Sequence, residues 1–191
     1  MKLLSRGNKK LPSSTAIFNL PAGRTCPNST AQCRKFCYAR KAERIYPAVL
    51  PFRMRNWDLT KQETFVALVS SELSRARKIT TVRVHESGDF YSKDYFDKWV
   101  LIAKANPDLI FYAYTKVVTL GTIARPANLI LILSDDKELQ QKEWDHFDGV
   151  ATVTPKNQIP NKNFFLCPGS CKTCDYCYTL KVGKRLTFEE H

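Results

Sequence analysis

Leu129-Ile130-Leu131-Ile132-Leu133-Ser134 is apolar at five consecutive positions, so as a strand it presents hydrophobic side chains on both faces. A strand with one wet face alternates; a strand inside a parallel sheet, covered on both sides, does not. Working outward, residues 109–115 (LIFYAYT) and 80–85 (TTVRVH) are rich in β-branched and aromatic residues and predict two further strands. Residues 17–20, 150–154 and 164–167 complete a set of six. Helical patterns separate them. Thr60 and Glu63 form a T-x-x-E capping box ahead of Phe65, Leu68, Val69 and Leu73, which predicts an amphipathic helix over 61–77. Ser92 is placed to cap a second helix that buries Phe96, Trp99, Val100 and Ala103 and stops at Asn106-Pro107. A short helix is expected over 137–147, while Pro47 and Pro51 are expected to break the chain.

Strands alternating with helices imply right-handed crossovers and a parallel sheet. The fold expected is therefore α/β, a partial, irregular (β/α)6-like open barrel with Cys-rich loops at both ends. Residues 116–128 and 155–163 are short for full crossover helices, hence the irregularity. A single domain over 1–191 is expected, with a basic, flexible start over 1–15. His85, Glu86, Asp89, Thr115, Lys116, Ser134, Asp135, Thr154, Lys156 and Cys167 all fall at or just past strand ends. In open parallel sheets and α/β barrels that rim is where ligands bind.

Seven cysteines occupy two short segments and nothing between. Cys26, Cys33 and Cys37 lie in a first loop, 26–37; Cys167, Cys171, Cys174 and Cys177 lie in a C-terminal cluster, 167–177. An odd count argues against a complete disulfide framework. Clustered thiols are what a metal centre needs, because several thiolates must converge on one small volume. Four can saturate a 4Fe–4S cluster, whereas three leave one iron open for a ligand such as S-adenosylmethionine. Zinc is the alternative at both places: four thiolates at the C-terminus, and three plus a further ligand such as His85 at the first loop. His85, Glu86 and Asp89 crowd one strand end and could instead serve a metal-dependent hydrolase. Lys116 is a candidate to steady a carboxylate, and Gly88 permits close backbone approach to a ligand.

The formal net charge is +12, and residues 1–60 carry +10 of it, with twelve Lys and Arg against Glu43 and Asp58. Such asymmetry points to a nucleic acid or nucleotide partner. No apolar run approaches the length of a membrane span, and the basic start has no apolar signal region, so a cytoplasmic protein without membrane association is expected.

Two resemblances follow from these residues. Three cysteines after the first strand, an aromatic (Phe36) before the third, and Ser87-Gly88-Asp89-Phe90 after the second strand resemble the radical S-adenosylmethionine superfamily. Its usual loop is C-x3-C-x2-C; here it is C-x6-C-x3-C. The resemblance implies that Cys26, Cys33 and Cys37 hold a 4Fe–4S cluster and that Ser87, Gly88 and Asp89 position S-adenosylmethionine. The successive C-x2-C steps of the C-terminal run resemble ferredoxin-type cluster loops, which implies an auxiliary cluster on its four cysteines; an enzyme of this kind takes an electron donor as partner, with His85, Glu86 and Lys116 on the strand-end rim as catalytic candidates. The phrases TCPNSTAQCRKFCYA and VRVHESGDFYSKDYFDKWVLIAKANPDLIFYAYTK, with the terminal cysteine run, resemble the bacteriophage "gene product 88" domain family. That resemblance implies a phage or prophage origin and residence in the host cytoplasm. No Gly-x-Ile-x-Gly-type adenine motif follows the fifth strand, which keeps open a non-catalytic, zinc- or cluster-stabilised module that binds nucleic acid or a host protein.

Overall fold

The computed structural model describes residues 2–135, 141–155, 158, 161–179 and 183–189. Its strands are β1 (Ser5–Arg6), β2 (Thr15–Phe18), β3 (Thr81–Val84), β4 (Ile110–Thr115), β5 (Leu129–Ser134), β6 (Gly149–Thr154), β7 (Phe165–Leu166) and β8 (Lys184–Glu189). They form one open sheet in the order β1-β2-β3-β4-β5-β6-β8-β7. Only β1 runs antiparallel to its neighbour; every other pairing is parallel. The helices are α1 (Ala31–Lys35), α2 (Tyr38–Ile45), α3 (Val49–Thr60), α4 (Phe65–Ser74), α5 (Lys93–Ala105) and α6 (Gln141–Trp144).

One face of the sheet carries Phe18, Val82, Val84, Phe111, Ala113, Leu131 and Leu133 into a core with Phe65, Val69, Phe96 and Trp99 of α4 and α5. The rings of Phe18, Phe65 and Trp99 meet edge to face at 5.2–5.8 Å. The alternate residues Tyr112, Ile130, Ile132, Ala151 and Leu186 build a second, smaller core on the other face. Instead of helices, that face is packed by the C-terminal segment through Tyr176, Cys177 and Tyr178. β5 is thus buried on both faces, as its sequence demands.

Ser92 caps α5 as expected, its Oγ accepting the Tyr95 N–H at 3.2 Å, and the predicted apolar face is buried. The Thr60 capping box does not form. Thr60 is the last residue of α3, its Oγ1 donates to the Trp57 carbonyl at 2.6 Å, and α4 begins at Phe65 with no side-chain cap. Nor does Pro51 break the chain: it sits in the first turn of α3, where its missing N–H costs nothing. Residues 1–15 were expected to be flexible; among them Leu3, Leu4 and Leu11 are buried and Ser5–Arg6 pair with β2. β1 and β8 went unpredicted, being short or hidden among charges; β8 inserts between β6 and β7. Of the helix expected over 137–147, α6 is the described part. Residues 136–140 and Lys156 lie outside the described residues.

Candidate functional site

The carboxyl ends of β2 and β3 are stitched together by the first cysteine loop. Asn19 Oδ1 accepts the N–H groups of Glu86 (2.8 Å) and Ser87 (3.0 Å), and Ser87 Oγ donates to the Leu20 carbonyl at 2.8 Å. The Asp89 N–H donates to the Thr25 carbonyl at 3.0 Å, one residue before Cys26. Gly88 lies at this seam with φ +87°; a Cβ there would fall 2.6 Å from Leu20 Cβ and 2.7 Å from Thr25 Oγ1. Only glycine satisfies both the backbone angle and the contact. Thr30 caps α1 by accepting the Cys33 N–H at 3.1 Å, and Cys37 is the residue from which α2 starts.

Burial pushes the Cys26 thiol up to about 11, against a lowering hydrogen bond at Gly23; Asp89, Cys33 and Cys37 add to the rise. The backbone bond from Asp89 to Thr25 brings the Gly88 turn against the start of the three-thiol loop. Beside them, Pro27, Asn28, Phe90, Tyr91 and Val117 help line a cleft of ≈ 410 Å³, within the size range of small-molecule sites.

The other expected site residues separate into two directions. Asp89 is buried, with Oδ1 accepting from Phe90 N and Thr115 Oγ1 (both 2.7 Å) and Oδ2 from Lys116 N at 2.9 Å. Desolvation pushes its pKa up to about 6 against those bonds. It clamps the ends of β3 and β4. His85 points into the helix-covered core, its ring 4.8 Å from that of Phe90 and its Nε2 2.8 Å from Tyr95 Oη. Burial and then Arg83 push it down to about 3, so the imidazole is neutral. Its φ of +67° is rare for a side chain of this size. Glu86 is half-buried; its Oε1 accepts from Asn8 Nδ2 at 2.8 Å and its carbonyl from the Tyr38 hydroxyl. Lys116 Nζ donates to the carbonyl (3.1 Å) and Oγ (3.0 Å) of Ser134, spanning β4 to β5.

The C-terminal thiols lie on the face opposite the helices. Cys177 is 9% exposed and its Sγ accepts from Tyr114 Oη at 2.8 Å. The Tyr178 hydroxyl donates to the carbonyls of Cys171 and Cys174 at 3.3 Å, the Gly169 N–H approaches Cys167 Sγ at 3.4 Å, and Cys171 N donates to the Lys10 carbonyl at 2.8 Å. Burial pushes Cys171 up to about 11; Cys177, Cys167 and Cys174 add to this and Arg83 opposes it. All seven cysteines are free thiols, three in the first loop and four in the C-terminal run. By residue type and spacing along the chain they are thiolate donor sets. Among the described residues, however, no three His, Cys, Asp or Glu side chains stand close enough together to hold a metal ion.

Arg83 was missed by the sequence reading. It projects from β3 on the face away from the helices, between Ile17 and Tyr112 in register. The guanidinium lies 4.2 Å from the Tyr114 ring centroid and 5.0 Å from that of Tyr112. Tyr114, whose ring it faces, donates to Cys177 Sγ, and its own Nε–H donates to the His85 carbonyl, next to the Glu86 carbonyl that accepts from Tyr38. A signal existed: in TVRV a cation alternates with valines in a strand flanked by buried strands.

The chain matches the model of the family described as Gene product 88 over residues 2–176. It belongs to the gene product 88 family. It is similar to the Gene 88 protein of Mycobacterium phage L5, 34% identical over 147 residues that make up 69% of this chain and 61% of that protein. The Gene 88 protein of Mycobacterium phage D29 is 31% identical over the same shares. The aligned part spans less than two thirds of these phage proteins. No solved structure matches. The family match covers the first cysteine loop, the Gly88 turn and the first three C-terminal cysteines, so these features sit in the part shared with the family model. Among the described residues no helix is long and apolar enough to cross a membrane.

Proposed function

We propose that this gene product 88 family member is an iron–sulfur enzyme of radical S-adenosylmethionine type, acting on a nucleotide or nucleic acid in the host cytoplasm. One observation carries the reading: the Gly88 turn seats directly on the start of the three-cysteine loop, with Asp89 N–H on the carbonyl of Thr25, the residue before Cys26. Strand order following chain order from β1 to β6 suits a partial (β/α)6-like barrel, with the helix-free face as its interior.

Cys26, Cys33 and Cys37 would hold a 4Fe–4S cluster, and Cys167, Cys171, Cys174 and Cys177 an auxiliary one. A cluster held by Cys26, Cys33 and Cys37 would, with an external electron donor, supply one-electron reductive chemistry towards a sulfonium. The chain's own residues do the rest. Gly88 and Ser87 hold the backbone of the turn against the loop, and Asp89 fixes that turn to β4. Glu86, half-buried on the turn, holds or moves a proton at its carboxylate, while His85 and Lys116 position the rim through Tyr95 and Ser134. The test is anaerobic reconstitution with iron and sulfide. Brown protein that forms 5′-deoxyadenosine from S-adenosylmethionine and dithionite supports the proposal, with Cys33→Ala losing the product while keeping the C-terminal absorption. Colourless protein with stoichiometric zinc overturns it.

A second reading, a metal-stabilised nucleic-acid-binding module, is favoured by the surface of α1 and α2. Phe36, Tyr38 and Tyr46 are 54%, 65% and 60% exposed among exposed Arg34, Lys35, Arg40 and Lys41. Aromatic faces among cations suit stacking on single-stranded bases. Salt-sensitive retention of an oligonucleotide, lost when those four cations become Gln, supports it; retention unchanged by the substitutions removes it.

A further inference from the structure

Arg83 is a half-buried guanidinium that forms no ion pair with any described residue. Its Nε–H donates to the His85 carbonyl at 3.0 Å, which fixes the plane of the group. Tyr112 and Tyr114 support its faces. Glu86, the carboxylate that acts on it, accepts instead from Asn8. The two terminal NH2 groups find no acceptor among the described residues. Burying a cation without an anion is costly, and a fork with both prongs free matches two oxygens of one oxyanion. Two neighbours extend the site. Tyr112 Oη is buried with no hydrogen-bond partner. The Tyr38 hydroxyl donates to the Glu86 carbonyl, next to the His85 carbonyl that holds Arg83, and most of Tyr38 is exposed to receive a planar group.

We propose that Arg83 is the phosphate receptor of a mononucleotide site on the helix-free face of the sheet, between the Tyr112–Tyr114 rings and the turn that follows β3. Its guanidinium takes two phosphate oxygens, and Tyr38 offers a face for the base. Tyr112 Oη is the spare donor beside it. The inference rests on the reading of a nucleotide substrate and gives that substrate its anchoring group. Binding is measured without turnover, so failure of catalysis and failure of this site are told apart.

The experiment uses the full chain and titrates it with a nucleoside monophosphate, the matching nucleoside and inorganic phosphate by calorimetry. Wild type is expected to bind the monophosphate at least tenfold more tightly than the nucleoside. Arg83→Met should lose that advantage, and Arg83→Lys, which keeps the charge but not the fork, should recover only part of it. In wild type the Arg83 Nε–H resonance should shift saturably with inorganic phosphate, a readout that stands even where a variant fails to fold. A monophosphate that binds no better than its nucleoside, Arg83→Met that binds it as wild type does, or an Nε–H resonance that phosphate leaves unmoved each overturns the proposal. So does a role confined to the thiols, seen as altered metal retention in Arg83→Met with monophosphate affinity unchanged.

Discussion

The Asp89 backbone N–H donates to the carbonyl of Thr25 at 3.0 Å, which places a buried carboxyl beside the first cysteine of the chain. The bond spans sixty-four positions of sequence and exists because two strand ends meet in a parallel sheet. It converts two separate motifs into one site.

Gly88→Ala tests that seam. The added methyl meets Leu20 Cβ and Thr25 Oγ1 below 3 Å at a φ of +87°. Strain and overpacking together should cost about 2–4 kcal/mol. A urea midpoint within error of wild type would show that the loop and turn are not packed as described. Faster alkylation of Cys26 in the variant is the accompanying expectation.

Glu43→Ala probes the far side of the same loop. Glu43 Oε1 accepts from Arg53 Nη1 and from the Ala22 N–H, both at 2.9 Å, with both charged side chains about nine-tenths buried. Removing the carboxylate strands a buried guanidinium, so about 3 kcal/mol of stability should be lost. Chemical denaturation measures it; a loss under 1 kcal/mol contradicts the pairing.

Acid stability should report His85. Its imidazole takes a proton near 6.5 when unfolded but resists until about 3 when folded. The contribution is therefore fully present above pH 6.5 and is lost as the pH falls towards 3, on the order of 4 kcal/mol. Asp89 works the other way: its folded pKa is raised from 3.8 to about 6, so its contribution declines as the pH rises through that window. His85→Asn, a residue that tolerates positive φ, isolates the first effect. The gap between wild type and variant should narrow on going from pH 7 to pH 4, and a constant gap counts against a buried neutral ring.

Tyr114→Phe removes the hydroxyl that donates to Cys177 Sγ at 2.8 Å. A stability loss of about 1 kcal/mol is expected by thermal unfolding, the usual net value of one such bond. No change, or a gain, would mean that the hydroxyl and thiol are not paired.

Much was legible in the chain. The five-residue apolar run of β5, the Ser92 cap and the buried face of α5 are encoded in a few neighbouring residues, and each forms as expected. The Thr60 capping box failed because α3 reached it first, carrying Thr60 into its last turn. Arg83 escaped notice because its partners, Tyr112 and Tyr114, come from the next strand and Cys177, bonded to Tyr114, from the other end of the chain.

Sequence alone determined the central strands and α5, the α/β class, membership of a family through its motifs, and the division of seven thiols into three and four. These follow from local periodicity, propensity and spacing. Only the tertiary structure decided that β8 slots between β6 and β7, that His85 turns into the core, and that the Arg83 guanidinium faces Tyr114, the tyrosine bonded to Cys177. Those outcomes depend on which faces meet across a sheet, and no short stretch of chain holds that information.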